Sequence, residues 1–196
     1  MTTGRVLTLA STSPRRKQLL EMLGIPVLVR PSHIPEVRAD GEKPIPYAER
    51  LARQKAESVP GDYVLGADTT VVLDQHVLEK PVDAEDAVRM LMLLQGNTHD
   101  VVTAIALVAG GTTRTRTDVT RVAFRAASED FVRAYVATGE PMDKAGAYGI
   151  QGYGAALIER VEGDFFTVMG LPIRLVLDLM GEARWPYRFG RTSVGD

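Results

Sequence analysis

The chain has 196 residues, 45% hydrophobic and 24% charged, with a formal net charge of -2 and no cysteine. That length and usage suit one substantial core or two smaller lobes and do not suit a disordered chain. The negative balance excludes a general electrostatic footprint for nucleic acid, and the missing cysteine excludes disulfides and thiol chemistry. No apolar run approaches the roughly 20 residues that cross a bilayer, and the N-terminus shows no signal-peptide core, so a cytoplasmic protein with no membrane partner is the expectation.

Val6 to Ala10 is a short apolar run that suits a buried strand. In the following stretch, STSPRRKQLLEMLG, Ser13 reads as an N-cap, Pro14 as the first helical residue and Gly24 as the glycine just past the helix end. Leu19, Leu20, Met22 and Leu23 supply the apolar face. Arg15 and Arg16 then fall in the first turn, where the helix end is already positive and cations are unfavourable unless an anion faces them. Strand, Ser/Thr-rich turn, helix start and paired arginines describe an anion site, with phosphate the obvious guest. Two solvated arginines on an ordinary strand-to-helix connection are the plainer alternative.

Pro44 to Val59 reads as a helix whose apolar stripe is Tyr47, Ala48, Leu51, Ala52, Ala56 and Val59. Lys55 falls on that stripe, where it can snorkel outward or serve a site. Tyr63 to Leu73 reads as a strand interrupted by Asp68, and a carboxylate there is costly unless cations, hydrogen bonds or a metal compensate it. If Asp74 and Gln75 form a two-residue turn, Leu73 opposes His76, and counting back sets Thr69 opposite Lys80, beside Asp68. A structural buried ion pair would explain the same pattern.

Ala84 to Leu94 is the next helix, with Ala84, Ala87, Val88 and Leu91 apolar. Val101 to Val108 is a nearly continuous apolar strand and Thr113 to Phe124 a longer, more alternating one. Ser128 to Thr138 is a helix with Ser128 as N-cap and Gly139 at its end. The segment GEPMDKAGAYGIQGYGA is dense in glycine, has no period, and holds Asp143, Lys144 and Gln151, so it is a plain connector or a close-approach ligand loop. Ala155 to Arg160 and Phe165 to Met169 flank the turn VEGD as a hairpin, Leu171 to Met180 is a closing helix, and an edge segment with a frayed tail follows. The intermixed helices and strands define an α/β protein with a mixed sheet. The three histidines are scattered; His99 reads as a strand-start residue and no zinc is expected.

The motifs LASTSPRR, GADTTVVLD, LEKP, THDVVTAIAL, GEPMDKAGAYGIQGYGA and DFFTVMGLP resemble, in order and spacing, those of the Maf family of nucleotide pyrophosphatases, once labelled septum-formation inhibitors. The resemblance runs from about Leu9 to about Met180. It implies a single Maf-like domain over residues 1–196 with a tail from 182, built as two lobes akin to inosine triphosphate pyrophosphatase around a central nucleotide cleft. It also implies a cytoplasmic homodimer that hydrolyses nucleoside triphosphates to monophosphate and pyrophosphate with a divalent cation, Mg2+ or Mn2+. Carried over residue by residue, it makes Asp68 the proton acceptor and sets Ser11, Arg15, Arg16, Lys55, Lys80 and Lys144 around the phosphates. Glu36, in SHIPEVR, aligns with the family's acidic position and joins Asp68 at the metal, while Arg15, Thr69 and Gln151 match positions of substrate choice. Thr167 stands where many relatives carry other polar residues.

The chemistry accounts for these residue types independently. Cleavage between the α and β phosphates needs a water aimed at phosphorus, a base for its proton, and positive charge around the phosphoryl group and the leaving pyrophosphate. Mg2+ prefers few carboxylates together with waters and substrate phosphates, so histidine is not required. A glutamine amide offers one donor and one acceptor, which complements the imide edge of uracil or thymine, whereas an acceptor-only carboxylate suits the donors of guanine. Gln151 therefore argues for a pyrimidine; within the family, where one subgroup takes thymidine and uridine triphosphates and the other 7-methylguanosine triphosphate, AGAYGIQG resembles the first. Two rivals are a sugar nucleotidyltransferase, whose glycine-rich first loop is absent here, and a non-catalytic nucleotide-sensing regulator of cell division, against which Asp68 and Lys80 weigh. No aromatic and basic residues interleave as a nucleic-acid face would require.

Overall fold

Parallel pairing around the short strand β1 (Leu7–Leu9) organises the first part of the chain in the computed structural model, which describes residues 5–74 and 76–189. β1 pairs in parallel with β2 (Val27–Val29) and with the start of β3 (Tyr63–Leu73), and the connections are the helices α1 (Pro14–Met22) and α2 (Pro44–Glu57), as parallel neighbours require. Then come β4 (His76–Leu78), α3 (Ala84–Leu94), β5 (Thr98–Ala109), β6 (Thr112–Phe124) and α4 (Glu129–Val136). Three short 3-10 turns, Glu140–Asp143, Ala145–Ala147 and Gly152–Leu157, lead to β7 (Ile158–Glu162), α5 (Phe165–Val168) and α6 (Ile173–Glu182). Among the described residues the strands form a seven-stranded sheet in the order β2-β1-β3-β5-β6-β7, with β4 added to β3, so the expected α/β fold with a mixed sheet is present. No helix among the described residues is long and apolar enough to cross a membrane.

The chain divides into two compact units, Met1–Asp68 with Ala104–Thr117 and Gly170–Asp196, and Thr69–Thr103 with Asp118–Met169. In the first, Leu7 and Leu9 of β1, Leu20 of α1, Leu51 of α2, Leu65 of β3, and Leu175 and Leu179 of α6 are buried together with small residues such as Ala52 and Ala56. Tyr47, Ala48, Leu51, Ala52 and Ala56 of the α2 stripe are buried as the spacing predicts, and Lys55 is buried with them, whereas Val59, expected to end the stripe, is half-buried and lies beyond the helix, which stops at Glu57. Gly66 shows how tightly β3 meets α2: a Cβ there would stand 2.2 Å from the carbonyl oxygen of Ala52 and 2.6 Å from the amide nitrogen of Ala56. Only a residue without a side chain lets the two backbones approach this closely.

The second unit is built on α3, α4, β4, the first half of β5 and the second half of β6, with Leu91, Leu94, Val122, Phe124 and Val132 in its core. Asp83 caps α3 by accepting the Asp86 amide, and Ser128 caps α4 by accepting the Phe131 amide. His99, the second residue of β5, is buried; its Nε2 lies 2.8 Å from the Tyr148 hydroxyl, and its ring packs edge-on against Phe124 and Tyr148. Burial pushes the imidazole down from 6.5 to about 4, and it pushes the Tyr148 phenol up.

Tyr63–Leu73 and Ala84–Leu94 have the bounds their patterns predict, and β3 pairs with β4 in the expected register, Leu73 opposite His76. Asp74 takes φ +47 at the turn, while Gln75 lies outside the described residues. Other expectations need correcting. Met22 is 62% exposed, so α1 buries Leu19 and Leu20 instead of the broader face. Ala84 is exposed at the start of α3. The hairpin around VEGD is absent: β7 pairs with β6, from Arg121 opposite Glu162 to Phe124 opposite Ile158. Phe165–Val168 coils into one helical turn because Asp164 accepts the Phe166 amide at 2.8 Å, and this cap overrides the strand preference of the two phenylalanines. Residues 185–189 form no strand, and the tail beyond lies outside the described residues.

Two outcomes follow from this packing. Gly66→Ala forces α2 away from β3, and a loss of at least about 1–3 kcal/mol is expected in urea unfolding. An unfolded histidine takes up a proton near pH 6.5 that folded His99 refuses until about pH 4. The His99 contribution to stability is therefore complete above pH 6.5 and falls by about 1.4 kcal/mol per pH unit toward pH 4. Unfolding curves of His99→Gln across this range should lack that part of the slope.

Candidate active site

The stripe of α2 and the buried run of β3 bring two opposite charges out of water together. Lys55 Nζ lies 2.7 Å from Asp68 Oδ1 and 2.8 Å from Glu36 Oε1, and the Lys55 and Asp68 side chains are each only 7% accessible. The snorkelling alternative for Lys55 is thereby overturned. An ammonium that stays buried against two carboxylates compensates the desolvation that each group alone would suffer. Lys80, the cation expected beside Asp68, is exposed, and the β3–β4 ladder ends at Leu78 before reaching it. The strand pairing that would have set Thr69 opposite Lys80 is not formed because β4 is only three residues long.

Glu36 belongs to an irregular segment that α2 holds from below. Tyr47 donates its hydroxyl to the Glu36 carbonyl at 3.3 Å, and Arg50 donates from Nη2 to the Val37 carbonyl at 3.0 Å. Arg50 also clamps Glu42 through Nε to Oε1 at 2.7 Å and Nη2 to Oε2 at 2.6 Å, which pulls the Glu42 carboxyl down to about 2. Tyr47, Arg50 and Lys55 thus reach the segment from successive turns of one helix.

At the start of α1, Ser13 occupies the cap position but its side chain makes no cap hydrogen bond. Ser11 Oγ instead accepts the Ser13 amide at 3.1 Å and Arg16 Nη1 at 3.2 Å. Arg16 also donates from Nη1 to the Ala67 carbonyl at 2.9 Å and from Nε to the Gly170 carbonyl at 2.8 Å. It is therefore a brace as well as a charge, and one of the peptides it holds immediately precedes Asp68. Burial pushes the Arg16 guanidinium down, Asp68 and Glu36 draw it up, and neighbouring Arg15 pushes it down. Arg15 is half-buried in the same first turn. Ser11, Arg15, Arg16, Glu36, Lys55 and Asp68 all belong to the first compact unit.

Thr69, Lys80, Lys144 and Gln151 belong to the second. Thr69 Oγ1 lies 3.0 Å from Thr103 Oγ1, and Thr103 donates to the Thr167 carbonyl at 2.8 Å. Since Thr103 spends its only hydrogen on that carbonyl, Thr69 is the donor between the two hydroxyls. Thr167 Oγ1 in turn donates to Asp118 Oδ2 at 2.6 Å. Lys144 donates to the Glu140 carbonyl and to the Asp143 carboxylate. Gln151 is exposed at the start of the third 3-10 turn. The Thr103–Thr167–Asp118 chain was not among the expected site residues, although Thr103 as the one polar residue in VVTAIAL is a signal that could have found it. Among the described residues no group of three or more His, Cys, Asp or Glu gathers in the manner of a dedicated metal cage.

This arrangement, buried acid beside lysine and a helix start carrying paired arginines, belongs with enzymes that handle phosphate anhydrides. The chain is a member of the Maf family: residues 6–183 match the family model described as Maf-like protein. It is 49% identical to the dTTP/UTP pyrophosphatase of Koribacter versatilis over 184 residues, covering 92% of this chain and 95% of that one. It is 46% identical to the dTTP/UTP pyrophosphatase of Aquifex aeolicus over 178 residues, covering 89% and 93%. The enzyme of the same name from Symbiobacterium thermophilum is 45% identical over 184 residues, with 92% and 95% covered.

Removing the shared ammonium tests the site's electrostatics. Lys55→Met leaves Asp68 buried without its cation and should cost about 3–5 kcal/mol in urea unfolding at pH 7. Glu36→Gln, on a side chain that is 44% accessible, should cost less than about 1 kcal/mol in the same measurement.

Proposed function

We propose that this protein hydrolyses thymidine and uridine triphosphates between the α and β phosphates, releasing the monophosphate and pyrophosphate. The observation that carries this reading is the buried Lys55 between Asp68 and Glu36, in the same compact unit as the uncapped, arginine-bearing start of α1. The activity named for its relatives supports it. Asp68 keeps Oδ1 on Lys55 and takes the proton of the attacking water. Arg15 and Arg16, with Ser11, Lys80 and Lys144, meet the phosphate charge, and Arg16 also holds the Ala67 peptide so that Asp68 cannot drift.

Asp68 and Glu36 would hold a Mg2+ or Mn2+ ion. The Asp68 and Glu36 carboxylates, gathered at the Lys55 ammonium, are hard-oxygen ligands in the small number this ion takes when substrate phosphates and waters complete its shell. When bound, the ion supplies positive charge to the phosphate oxygens. Gln151, exposed on its loop, offers a donor and an acceptor to the imide edge of the pyrimidine, and Thr69 and Arg15 contribute to substrate choice. The family resemblance further supports a cytoplasmic homodimer, for which light scattering should read twice the 21.4 kDa chain mass.

The test is pyrophosphate release from a panel of nucleoside triphosphates with Mg2+ or Mn2+, with mass detection of the monophosphate and no second substrate. Turnover should be highest with thymidine and uridine triphosphates and should stop when the metal is chelated. Asp68→Asn should keep nucleotide binding and lose about 10²–10⁴-fold in kcat. Gln151→Glu should weaken use of the two pyrimidine substrates more than it weakens pyrophosphate binding. Silence across the panel with binding intact would favour a transferase or a sensor instead.

A further inference from the structure

The stretch Gly149–Gly154 around Gln151 is fastened by groups that lie outside it. Glu140 Oε2 accepts the Tyr153 amide at 2.9 Å, and Glu140 Oε1 accepts the Gly154 amide at 2.9 Å and the Tyr135 hydroxyl at 2.9 Å. The same Tyr135 hydroxyl accepts the Gly149 amide at 3.2 Å. The chain is therefore pinned on both sides of Gln151 by one carboxylate and one phenol that are bonded to each other. Tyr135 is buried on α4 and Glu140 is half-buried, whereas Gln151 between the pins is exposed.

The loop is shaped to this clamp. A Cβ on Gly152, whose φ is +73°, would stand 2.4 Å from Glu140 Oε2. A Cβ on Gly154 would stand 2.3 Å from the Gly149 carbonyl oxygen and 2.7 Å from the Tyr135 hydroxyl. Burial opposes the charge on Glu140, but the Gly154 and Tyr153 amides, the Tyr135 hydroxyl and Lys144 together hold its carboxyl below the usual range. Three donors converge on this side chain, so an acceptor-only group is what the place demands and an amide would turn N–H against N–H.

We infer that Glu140 and Tyr135 are positioning residues for base recognition, holding the Gly149–Gly154 backbone so that the Gln151 amide meets the pyrimidine in one orientation. This rests on the reading that Gln151 reads the base. The clamp does not touch Asp68 in that reading, and the hydrogen bond that Lys144 makes to Glu140 goes to its main-chain carbonyl, which Glu140→Gln leaves in place, so loss of the side-chain clamp should separate base discrimination from chemistry.

The experiment compares wild type with Glu140→Gln and Tyr135→Phe. It measures kcat and KM for uridine, thymidine and guanosine triphosphates, inhibition by pyrophosphate as a probe lacking a base, and deuterium uptake of residues 149–154. Glu140→Gln should raise KM for the two pyrimidine substrates about tenfold and cut their preference over guanosine triphosphate by a similar factor. Its kcat should stay within about threefold, pyrophosphate inhibition should not change, and residues 149–154 should exchange faster. Tyr135→Phe should act in the same direction, and the double variant should show less than the sum. Faster exchange with unchanged KM and preference would overturn the inference, leaving the clamp a purely structural device. An equal loss with nucleotides and with pyrophosphate would overturn it as well. If Glu140→Gln does not fold, Tyr135→Phe decides by the same readouts. A wild-type enzyme indifferent to the base would instead sink the pyrimidine reading itself, before any variant is measured.

Discussion

A lysine buried inside a protein needs its anions close and permanent, and Lys55 has two of them. The rest of the first compact unit can be understood as the support for that arrangement. β3 must be buried for Asp68 to need a cation, α2 must present an otherwise apolar stripe for Lys55 to arrive dehydrated, and the segment bearing Glu36 must be tied down for a third charge to join. The Tyr47 and Arg50 bonds meet the last condition, and Arg16 secures the peptide beside Asp68. Each support is a polar group spent on a main-chain carbonyl, which leaves the carboxylates themselves for the lysine and for the chemistry proposed for them.

The second compact unit uses a different economy. Its polar chain runs through hydroxyls, from Thr69 to Thr103, and from Thr167 to Asp118, and its glycine-rich loop is held by Glu140 and Tyr135. Hydroxyls and amides discriminate by donor and acceptor pattern more than by charge, as reading a base requires, whereas the ammonium, guanidinium and carboxylates of the first unit suit phosphates.

Much of this was legible in the amino acids alone, and the exceptions have physical causes. Tyr63–Leu73 and Ala84–Leu94 could be bounded because local pattern and tertiary burial agree there. Asp68 and Lys55 stood out because each violates the pattern of its own element. What could not be read were partners set by folding: Lys80 seemed the natural mate for Asp68 only if the β3–β4 ladder continued past Leu78. The sequence offers Arg16 as a phosphate ligand or a solvated arginine but not as a brace, because its carbonyl partner at Gly170 is 154 residues away. The aromatic pair in Phe165 to Met169 reads as strand although a single aspartate cap outweighs it, and the Glu140 clamp cannot be read because it joins Tyr135 of α4 to amides in a segment without any period.

Gly66 carries a wider consequence. Where β3 and α2 touch main chain to main chain, no side chain is interposed that could swell, shrink or change rotamer, so the strand bearing Asp68 and the helix bearing Lys55 move as one solid at that point. Exchanges of leucine, valine or methionine elsewhere in this core alter how firmly the unit holds together without altering the spacing of the charges. In this chain the spacing of the two charges is thereby set by main-chain contact at Gly66 more than by the fit of side chains in the interior.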